Sequence, residues 1–220
     1  GELTEPQTAI IDKQKPMVAL TFDDGPHYTV TPRILDILQE HNARATFFVL
    51  GNRVDNFPNI IQREYSQGHE IGSHSFSHPQ ITTLTSDEIE YQFAETEHRI
   101  QQYVPYTTKL VRPPYGQITQ SLKEVLQKTF VLWSIDTQDW KTRDKDAIVS
   151  EVLNNVKDGD IILMHDMYST TADACEELIP ALIERGYQLV TVSELLNAKE
   201  ITPVAGSVYS RVLSTGNAAS

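Results

Sequence analysis

The chain has 220 residues, of which 40% are apolar and 22% are charged, an ordinary composition for one globular domain with a buried core. Its formal net charge of -12 argues against nucleic acid or an anionic membrane surface as the main partner, because both repel an acidic protein. The single cysteine, Cys175, excludes an intrachain disulfide and a thiolate-rich metal cluster.

The first sixteen residues are polar and weakly patterned, and we predict that residues 1–16 form an N-terminal lead-in. No apolar run reaches the roughly 18 residues that a membrane span requires, so we expect no transmembrane segment in this chain. The sequence also shows no signal peptide, and a trimmed secreted protein would look the same as a cytoplasmic one.

From Met17 onward, short apolar runs alternate with segments of helical periodicity, the pattern of consecutive βα units. Most of the runs are continuously apolar, as expected for parallel strands that are covered on both faces. The predicted strands are residues 18–22, 45–50, 70–73, 109–112, 131–135, 160–164 and 187–192.

Helix signals fill the intervals between these strands. Thr31 before Pro32 predicts a cap residue with proline at the first helical position, and Gly68 closes a second helix. Thr85 with Glu88 forms a capping-box pattern that opens a third helix. Further helices are predicted over residues 119–128, 146–156 and 173–185.

The alternation predicts an α/β fold, an incomplete (β/α) barrel with about seven parallel strands, in a domain over residues 17–196. A doubly wound open sheet is the alternative. Residues 197–220 turn rich in small residues, and we predict a loosely ordered C-terminal tail there.

Five polar clusters each follow one of the predicted strands. They are residues 21–26, 74–78, 112–116, 136–140 and 165–166. In α/β barrels and open α/β sheets, sites are built at the carboxyl edge of the strands. The sequence therefore predicts that the five clusters form one active site.

His74 and His78, four residues apart, supply two nitrogen ligands, and Asp24 supplies a carboxylate from another strand end. Three such ligands with an open position for water describe a catalytic zinc site. The segment between the histidines fits either a helical turn or a loop. The alternative interpretation is that the histidines only cap a helix or hydrogen-bond within a loop.

Asp23 stands beside Asp24, and adjacent carboxylates on an extended chain point to opposite sides. One of the two can therefore ligate the ion while the other faces the attacking water as general base, although Asp-Asp-Gly-Pro is also a good turn sequence. Arg112, at another strand end, is predicted to pair with a carboxylate and hold it ionised.

His165 follows a buried strand and is predicted to donate a proton to a leaving group, with a carboxylate raising its pKa. Asp139 is the expected partner, and Asp136 is the less favoured one. A core histidine bonded to a backbone carbonyl is the competing interpretation. Trp140 and Tyr115 are expected either to wall a sugar-binding groove or to lie in the core.

With these residues the chain resembles the polysaccharide deacetylase family, also called the NodB-homology or carbohydrate esterase family 4 domain. The five motifs of that family occur in order, and the resemblance covers residues 17–196. It implies a distorted barrel, with Asp23 as catalytic base, His165 as general acid, Arg112 holding Asp23, and Asp139 tuning His165. It further implies Asp24, His74 and His78 as ligands of zinc or cobalt, the Tyr115 N–H as oxyanion donor, and Trp140, Leu163 and Pro114 as groove walls.

The function that the resemblance implies is a metal-dependent hydrolase that removes N-acetyl groups from N-acetylglucosamine residues of peptidoglycan or a chitin-like polysaccharide. The partner would be an acetylated polysaccharide or oligosaccharide, and the protein a monomer at a bacterial cell surface or outside the cell. An O-acetyl esterase acting on acetylated xylan would use the same residues. A non-haem iron redox enzyme is one competing hypothesis, but it gives Asp23 and His165 no role. A non-catalytic sugar-binding module is another, but such a module would be expected to lose a ligand or Asp23, and here the set is complete.

Overall fold

Strands and helices alternate through the part of the chain that the computed structural model describes, namely Leu3, Pro6 and residues 10–214. The strands are β1 (Met17–Asp23), β2 (Thr46–Val49), β3 (Glu70–Ser73), β4 (Leu110–Val111), β5 (Thr129–Val131), β6 (Ile135–Asp136), β7 (Ile161–His165), β8 (Gln188–Leu189) and β9 (Val208–Tyr209). The helices are α1 (Val30–Glu40), α2 (Gly51–Val54), α3 (Pro58–Ser66), α4 (Ser86–Gln101), α5 (Gln120–Val125), α6 (Asp139–Thr142), α7 (Lys145–Asn155), α8 (Ser169–Glu184) and α9 (Val192–Ala198). Among these described helices, none is long and apolar enough to cross a bilayer.

The strands form one parallel sheet in the order β6-β7-β1-β2-β3-β4-β5-β9, and β8 pairs with the first residues of β1. Strands β5 and β6 lie on opposite sides of this order, yet only residues 132–134 separate them in the chain. Four residue steps cover at most about 14 Å, so the sheet has to curl until its two sides approach each other. The predicted α/β class and incomplete (β/α) barrel are confirmed, with eight strands along the curl rather than about seven.

The predicted strand over residues 131–135 is wrong as a single element, because the chain bends there and bonds to both sides of the barrel. Leu132 donates its backbone N–H to Tyr209, whereas Ser134 donates its own to Ile161. The predicted strand over residues 187–192 is likewise shorter, because Thr191 caps α9 with its side chain and forms a capping box with Glu194.

The predicted loose tail from residue 197 is wrong for its described part. Helix α9 runs past the predicted boundary, and β9 adds a strand beside β5. Val212 is fully buried, and Arg211 pairs with the buried Asp160. Residues 215–220 lie outside the described residues. A stretch rich in small residues thus still completes the sheet, because backbone pairing needs no large side chains.

The capping box predicted from Thr85 and Glu88 is confirmed at the start of α4. The predicted cap at Thr31 is wrong, because α1 already begins at Val30. The Thr31 hydroxyl instead donates to Asp166 Oδ2 at 2.7 Å, which ties the first turn of α1 to the end of β7.

Alternation along each strand sorts side chains between the helices outside and the barrel interior. In β1, Val18, Leu20 and Phe22 pack outward in the main apolar cluster, whereas Met17 and Ala19 belong to the inner cluster. Thr21 and Asp23 continue this inner face with polar groups. In β7, Ile161 is inner and apolar, and Leu163 and His165 follow on the same face. The interior therefore changes from apolar to polar toward the carboxyl ends of the strands.

Candidate active site

A groove of about 430 Å³ opens at the carboxyl ends of the strands and joins residues from all five sequence clusters. Its lining residues are Asp23, Asp24, His74, His78, Pro113, Tyr115, Gly116, Trp133, Asp136, Trp140, Leu163, His165 and Tyr168. The pairing register explains part of this set, since Asp23 is the parallel partner of His165 and Thr21 is the partner of Leu163. Residues paired in neighbouring strands on one face lie about 5 Å apart at their backbones.

Asp24, His74 and His78 form a group whose ligand atoms lie within 4.8 Å of one another. His74 Nε2 lies 3.3 Å and His78 Nε2 lies 3.6 Å from Asp24 Oδ1. His74 Nδ1 lies 2.5 Å from the Arg112 carbonyl oxygen, which can only accept, so Nδ1 carries a proton and Nε2 is the nitrogen that faces Asp24. Asp24 Oδ1 is buried and has no hydrogen-bond partner among the described residues. These donors therefore fit a divalent cation that favours nitrogen and oxygen ligands.

The carboxylate of Asp24 is suited to ligation by its charge state. Burial raises its pKa, but the neighbouring His74, His165 and His78 outweigh burial and bring the pKa down to about 2. The group is therefore ionised throughout the neutral range. The ion that the site would hold adds further positive charge, which favours the same state.

The segment from His74 to His78 is a loop rather than a helical turn. Ser75 and His78 adopt left-handed φ values of 78° and 62°. Gln92 of α4 holds the loop in place, because its side-chain oxygen accepts hydrogen bonds from the N–H groups of Phe76 at 2.9 Å and Ser77 at 3.0 Å. The two histidine rings are thus brought within 5.0 Å of each other by a loop held at both backbone and side chain.

Asp23 and Arg112 form a buried ion pair across the barrel interior. Arg112 Nη1 donates to Asp23 Oδ1 at 2.9 Å and to Thr21 Oγ1 at 2.7 Å. Its other nitrogens donate to the carbonyl oxygens of Val131 and Leu132, and its guanidinium lies 4.3 Å from the Phe48 ring centroid. Arg112 is 0% exposed, so bulk water does not compete for the hydrogen bonds named here. The pair fixes the Asp23 carboxylate at the base of the groove.

The left-handed turn at Asp24, with φ of 77°, changes the predicted facing of the two carboxylates. An extended chain would point Asp23 and Asp24 to opposite sides, as the sequence predicts. Instead Asp23 Oδ2 lies 3.6 Å from His74 Nε2, close to the 3.3 Å of Asp24 Oδ1. Asp23 therefore faces the same space as the three candidate ligands while its other oxygen stays bonded to Arg112.

His165 is held by Asp139, the favoured one of the two predicted carboxylates. Asp139 Oδ1 lies 2.8 Å from His165 Nδ1, and Asp139 Oδ2 accepts the His165 backbone N–H at 2.7 Å. Trp140 and Thr171 donate to the same carboxylate, which is fully buried. Burial lowers the pKa of His165, but the bonded Asp139 and the carboxylates of Asp23 and Asp24 raise it to about 9. The imidazole is therefore protonated at neutral pH, with Nε2 as its remaining donor.

The groove walls differ in part from the sequence expectation. Trp140 and Leu163 line the groove, whereas Pro114 is not among the lining residues and the preceding Pro113 is. Tyr115 stands in a short 3₁₀ turn with φ of 60°, its ring 4.7 Å from that of His78.

Two lining residues, Trp133 and Tyr168, lie outside the five clusters and outside the groove walls that the resemblance implies. Trp133 falls in the middle of a predicted strand, and the bend at residues 132–134 turns it toward the groove. Tyr168 follows the last cluster by two residues, so an extension of that cluster past Asp166 would have found it.

A family model for polysaccharide deacetylase matches residues 11–131. The peptidoglycan-N-acetylmuramic acid deacetylase PdaC of Bacillus subtilis is 44% identical over 195 residues, which are 89% of this chain and 42% of PdaC. The peptidoglycan-N-acetylglucosamine deacetylase PgdA of Listeria monocytogenes is 41% identical over 187 residues, which are 85% of this chain and 40% of PgdA. The chain thus spans about two fifths of the length of these curated relatives.

Among solved structures, a family 4 acetyl xylan esterase from Clostridium thermocellum in complex with cobalt has a TM-score of 0.85 with this chain. It is 37% identical, and the match covers 89% of this chain and 98% of the esterase. The likeness therefore extends across the whole barrel, beyond the residues that the family model matches.

Proposed function

Because the chain belongs to the polysaccharide deacetylase family, we propose that it is a metal-dependent hydrolase that removes N-acetyl groups from N-acetylglucosamine residues of peptidoglycan or a chitin-like polysaccharide and releases acetate. The observation that carries the proposal is the placement of a carboxylate and a protonated histidine, Asp23 and His165, as parallel partners beside the Asp24–His74–His78 group. Amide hydrolysis needs both a base for water and an acid for the leaving amine.

Asp24, His74 and His78 would hold the ion, and we propose zinc, with cobalt as the alternative. A divalent cation held there supplies Lewis-acid polarisation of the acetyl carbonyl, worth several kcal/mol of transition-state stabilisation. The buried unpartnered oxygen of Asp24 and the orientation of His74, whose Nδ1 bonds the Arg112 carbonyl oxygen and whose Nε2 faces Asp24, support this ligand set.

Asp23 takes the proton of the attacking water, and Arg112 holds that carboxylate in orientation by a hydrogen bond to Oδ1. The backbone N–H of Tyr115, another lining residue of the groove, is proposed to bond the developing oxyanion. His165 then gives its Nε2 proton to the departing amine, while Asp139 holds the imidazolium by Nδ1. Trp140 and Leu163 form apolar walls against the acetyl group and the sugar ring.

The deciding experiment measures acetate release by the chain after chelator treatment and reloading with zinc or cobalt. The substrates are N-acetylglucosamine oligomers, peptidoglycan and acetylated xylan. We expect release from the first two only with metal present. Absence of release from all three substrates by metal-loaded protein would refute the proposal.

The ligand set is tested by His74→Ala, with His98→Ala as matched control, because His98 is an exposed histidine outside the groove. We expect bound metal, measured by elemental analysis, and acetate release to fall together in His74→Ala alone. Retention of stoichiometric metal by His74→Ala would show that the ion binds elsewhere.

An O-acetyl esterase acting on acetylated xylan is the second candidate, and the likeness to the cobalt-containing acetyl xylan esterase favours it. It would use the same residues, since an ester is the easier case of the same acyl transfer. Preferential acetate release from acetylxylan over N-acetylglucosamine oligomers would select it. The cell-surface or extracellular location and the monomeric state remain predictions, and the peptidoglycan-directed names of PdaC and PgdA support the former.

A further inference from the structure

We propose that Arg143 forms an anion subsite at the rim of the groove, which recognises a carboxylate carried by the acetylated glycan. The inference rests on the proposed function and concerns which sugars the same site prefers. Arg143 is exposed. Its side chain contacts the ring of Tyr168 and the carbonyl oxygen of Trp140, and both of these residues line the groove. A substituent on a sugar bound against these two aromatic residues lies within reach of the guanidinium.

The guanidinium of Arg143 is held in place before any ligand arrives. Its centre lies 3.6 Å from the Tyr168 ring centroid, and its Nε donates to the Trp140 carbonyl oxygen at 2.9 Å. The backbone of Arg143, which caps the end of α6, is in the left-handed region with φ of 47°, and its N–H donates to the carbonyl oxygen of Asp139 at the start of that helix. Stacking and the Nε bond leave the two terminal nitrogens to bind a ligand.

The charge of Arg143 has no carboxylate partner within 4.0 Å among the described residues, which is unusual in this acidic chain. Six other arginines pair with carboxylates, namely Arg33, Arg44, Arg63, Arg99, Arg112 and Arg211. Arg53 and Arg185 donate to backbone carbonyls instead. Arg143 is therefore the arginine that is both free of a carboxylate and placed at the groove.

The planar fork of terminal N–H groups matches a carboxylate with two parallel hydrogen bonds. On an acetylated glycan, such a group has two sources, a lactyl ether acid on the sugar or a peptide attached to that acid. Neutral N-acetylglucosamine oligomers carry neither. Arg143 would thus favour acid-bearing sugars without contributing to the acetyl chemistry of Asp23 and His165.

The test compares kcat/KM for acetate release on four glycans. One is a neutral N-acetylglucosamine oligomer, and one carries a free lactyl acid. A third has that acid capped as a neutral amide, and the fourth has a peptide with a free carboxylate on the capped position. Arg143→Gln removes the charge and keeps the backbone cost at the left-handed position. Arg185→Gln is the matched control, since it removes an exposed arginine far from the groove.

We expect the ratio of kcat/KM for the acid-bearing glycan to that for its capped form to fall about 10-fold or more in Arg143→Gln, through KM, and to stay as in the wild type in Arg185→Gln. Added salt should lower the ratio in the wild type but not in Arg143→Gln. The glycan on which Arg143→Gln loses kcat/KM relative to the capped form, either the one with the free lactyl acid or the one with the peptide, identifies which carboxylate is the ligand.

An equal loss on charged and capped glycans in Arg143→Gln would assign the residue a structural role and overturn the subsite. An unchanged ratio would overturn it as well. Failure of the wild type to release acetate from any of the four glycans would instead refute the proposed function, so the two failures are distinguishable.

Discussion

The change of Asp139 to Asn should move the alkaline limb of the pH–activity profile, because Asp139 is the carboxylate bonded to His165. Asparagine keeps the size of the side chain and removes its charge. Asp139 is the first of the groups that raise the pKa of His165 to about 9, against an ordinary value of 6.5. Without the charge of Asp139, the largest effect that offsets burial is lost, and the pKa of His165 should fall to about 6.5 or lower.

The proposed mechanism needs His165 protonated, so activity falls as pH rises through the pKa of His165. At pH 8, a pKa of about 9 leaves roughly nine tenths of the imidazole protonated, whereas a pKa of about 6.5 leaves roughly 3%. We therefore expect Asp139→Asn to lose about 30-fold more activity than the wild type at pH 8, beyond any loss common to all pH values. At pH 6 the two proteins should differ by little more than that common loss.

The assay is initial-rate acetate release from an N-acetylglucosamine oligomer between pH 5.5 and 10, with Asp146→Asn as control because its side chain is 84% exposed. A bound cation would repel the imidazolium in both proteins, so the separation between the two limbs is the quantity to compare. Coincident alkaline limbs for Asp139→Asn and the wild type would refute the assignment of Asp139 and His165.

Stability gives an independent readout of the same pair. His165 has its pKa raised in the folded state, so its contribution is complete below pH 6.5 and is lost as pH rises through about 9. The difference between the two pKa values corresponds to about 3 kcal/mol, and the side chain is only 14% exposed. Urea unfolding should show a larger destabilisation by Asp139→Asn at pH 6 than at pH 10, and an equal one at both would contradict the linkage.

Three further predictions concern the same site. Asp23→Asn and His165→Ala should each lower turnover by about 100-fold or more, measured under conditions where circular dichroism shows each variant folded, and near-normal acetate release by either would contradict their roles. Arg112→Met should cost about 3–5 kcal/mol in the free energy of unfolding, because it leaves the 3%-exposed Asp23 carboxylate without its partner; a cost under about 1 kcal/mol would show that Asp23 finds other compensation. Gly25→Ala would bring a Cβ to 2.2 Å from Asp166 Oδ2, so we expect a loss of about 1–3 kcal/mol and weaker zinc binding by titration, and unchanged values for both would show that Asp166 moves aside freely.

The order of the strands along the chain and the clusters that follow them were predictable from the sequence, because apolar runs and polar strand ends are local signals. Val18, Leu20 and Phe22 alternate with Met17, Ala19 and Thr21 in a strand that is buried on both faces. Because both faces of β1 are buried, the sequence pattern alone does not show which residues point into the barrel. The facing of Asp23 and His165 required the register between β1 and β7, which depends on pairing across about 140 residues.

Other parts of the site were not predictable because they depend on backbone bends. Left-handed φ values occur at Asp24, Ser75 and His78, none of which is glycine. A positive φ is uncommon for non-glycine residues, so the residue types alone would not predict it. Their φ values bring the second carboxylate and both rings to one point. The bend that turns Trp133 into the groove likewise arises from hydrogen bonds to β7 and β9, which lie later in the sequence.

Strand β1 precedes the other described strands of the sheet in the chain, yet it lies in the middle of the sheet between β2 and β7. All seven of its residues are buried and most are apolar. One backbone edge of β1 stays unpaired until its partner strand Ile161–His165, about 140 residues later in the chain, has been made. Long-range parallel pairing of this kind slows folding and leaves strand edges exposed to other chains. A fragment that ended at residue 131, where the family match ends, would lack β7 and should aggregate rather than form the groove.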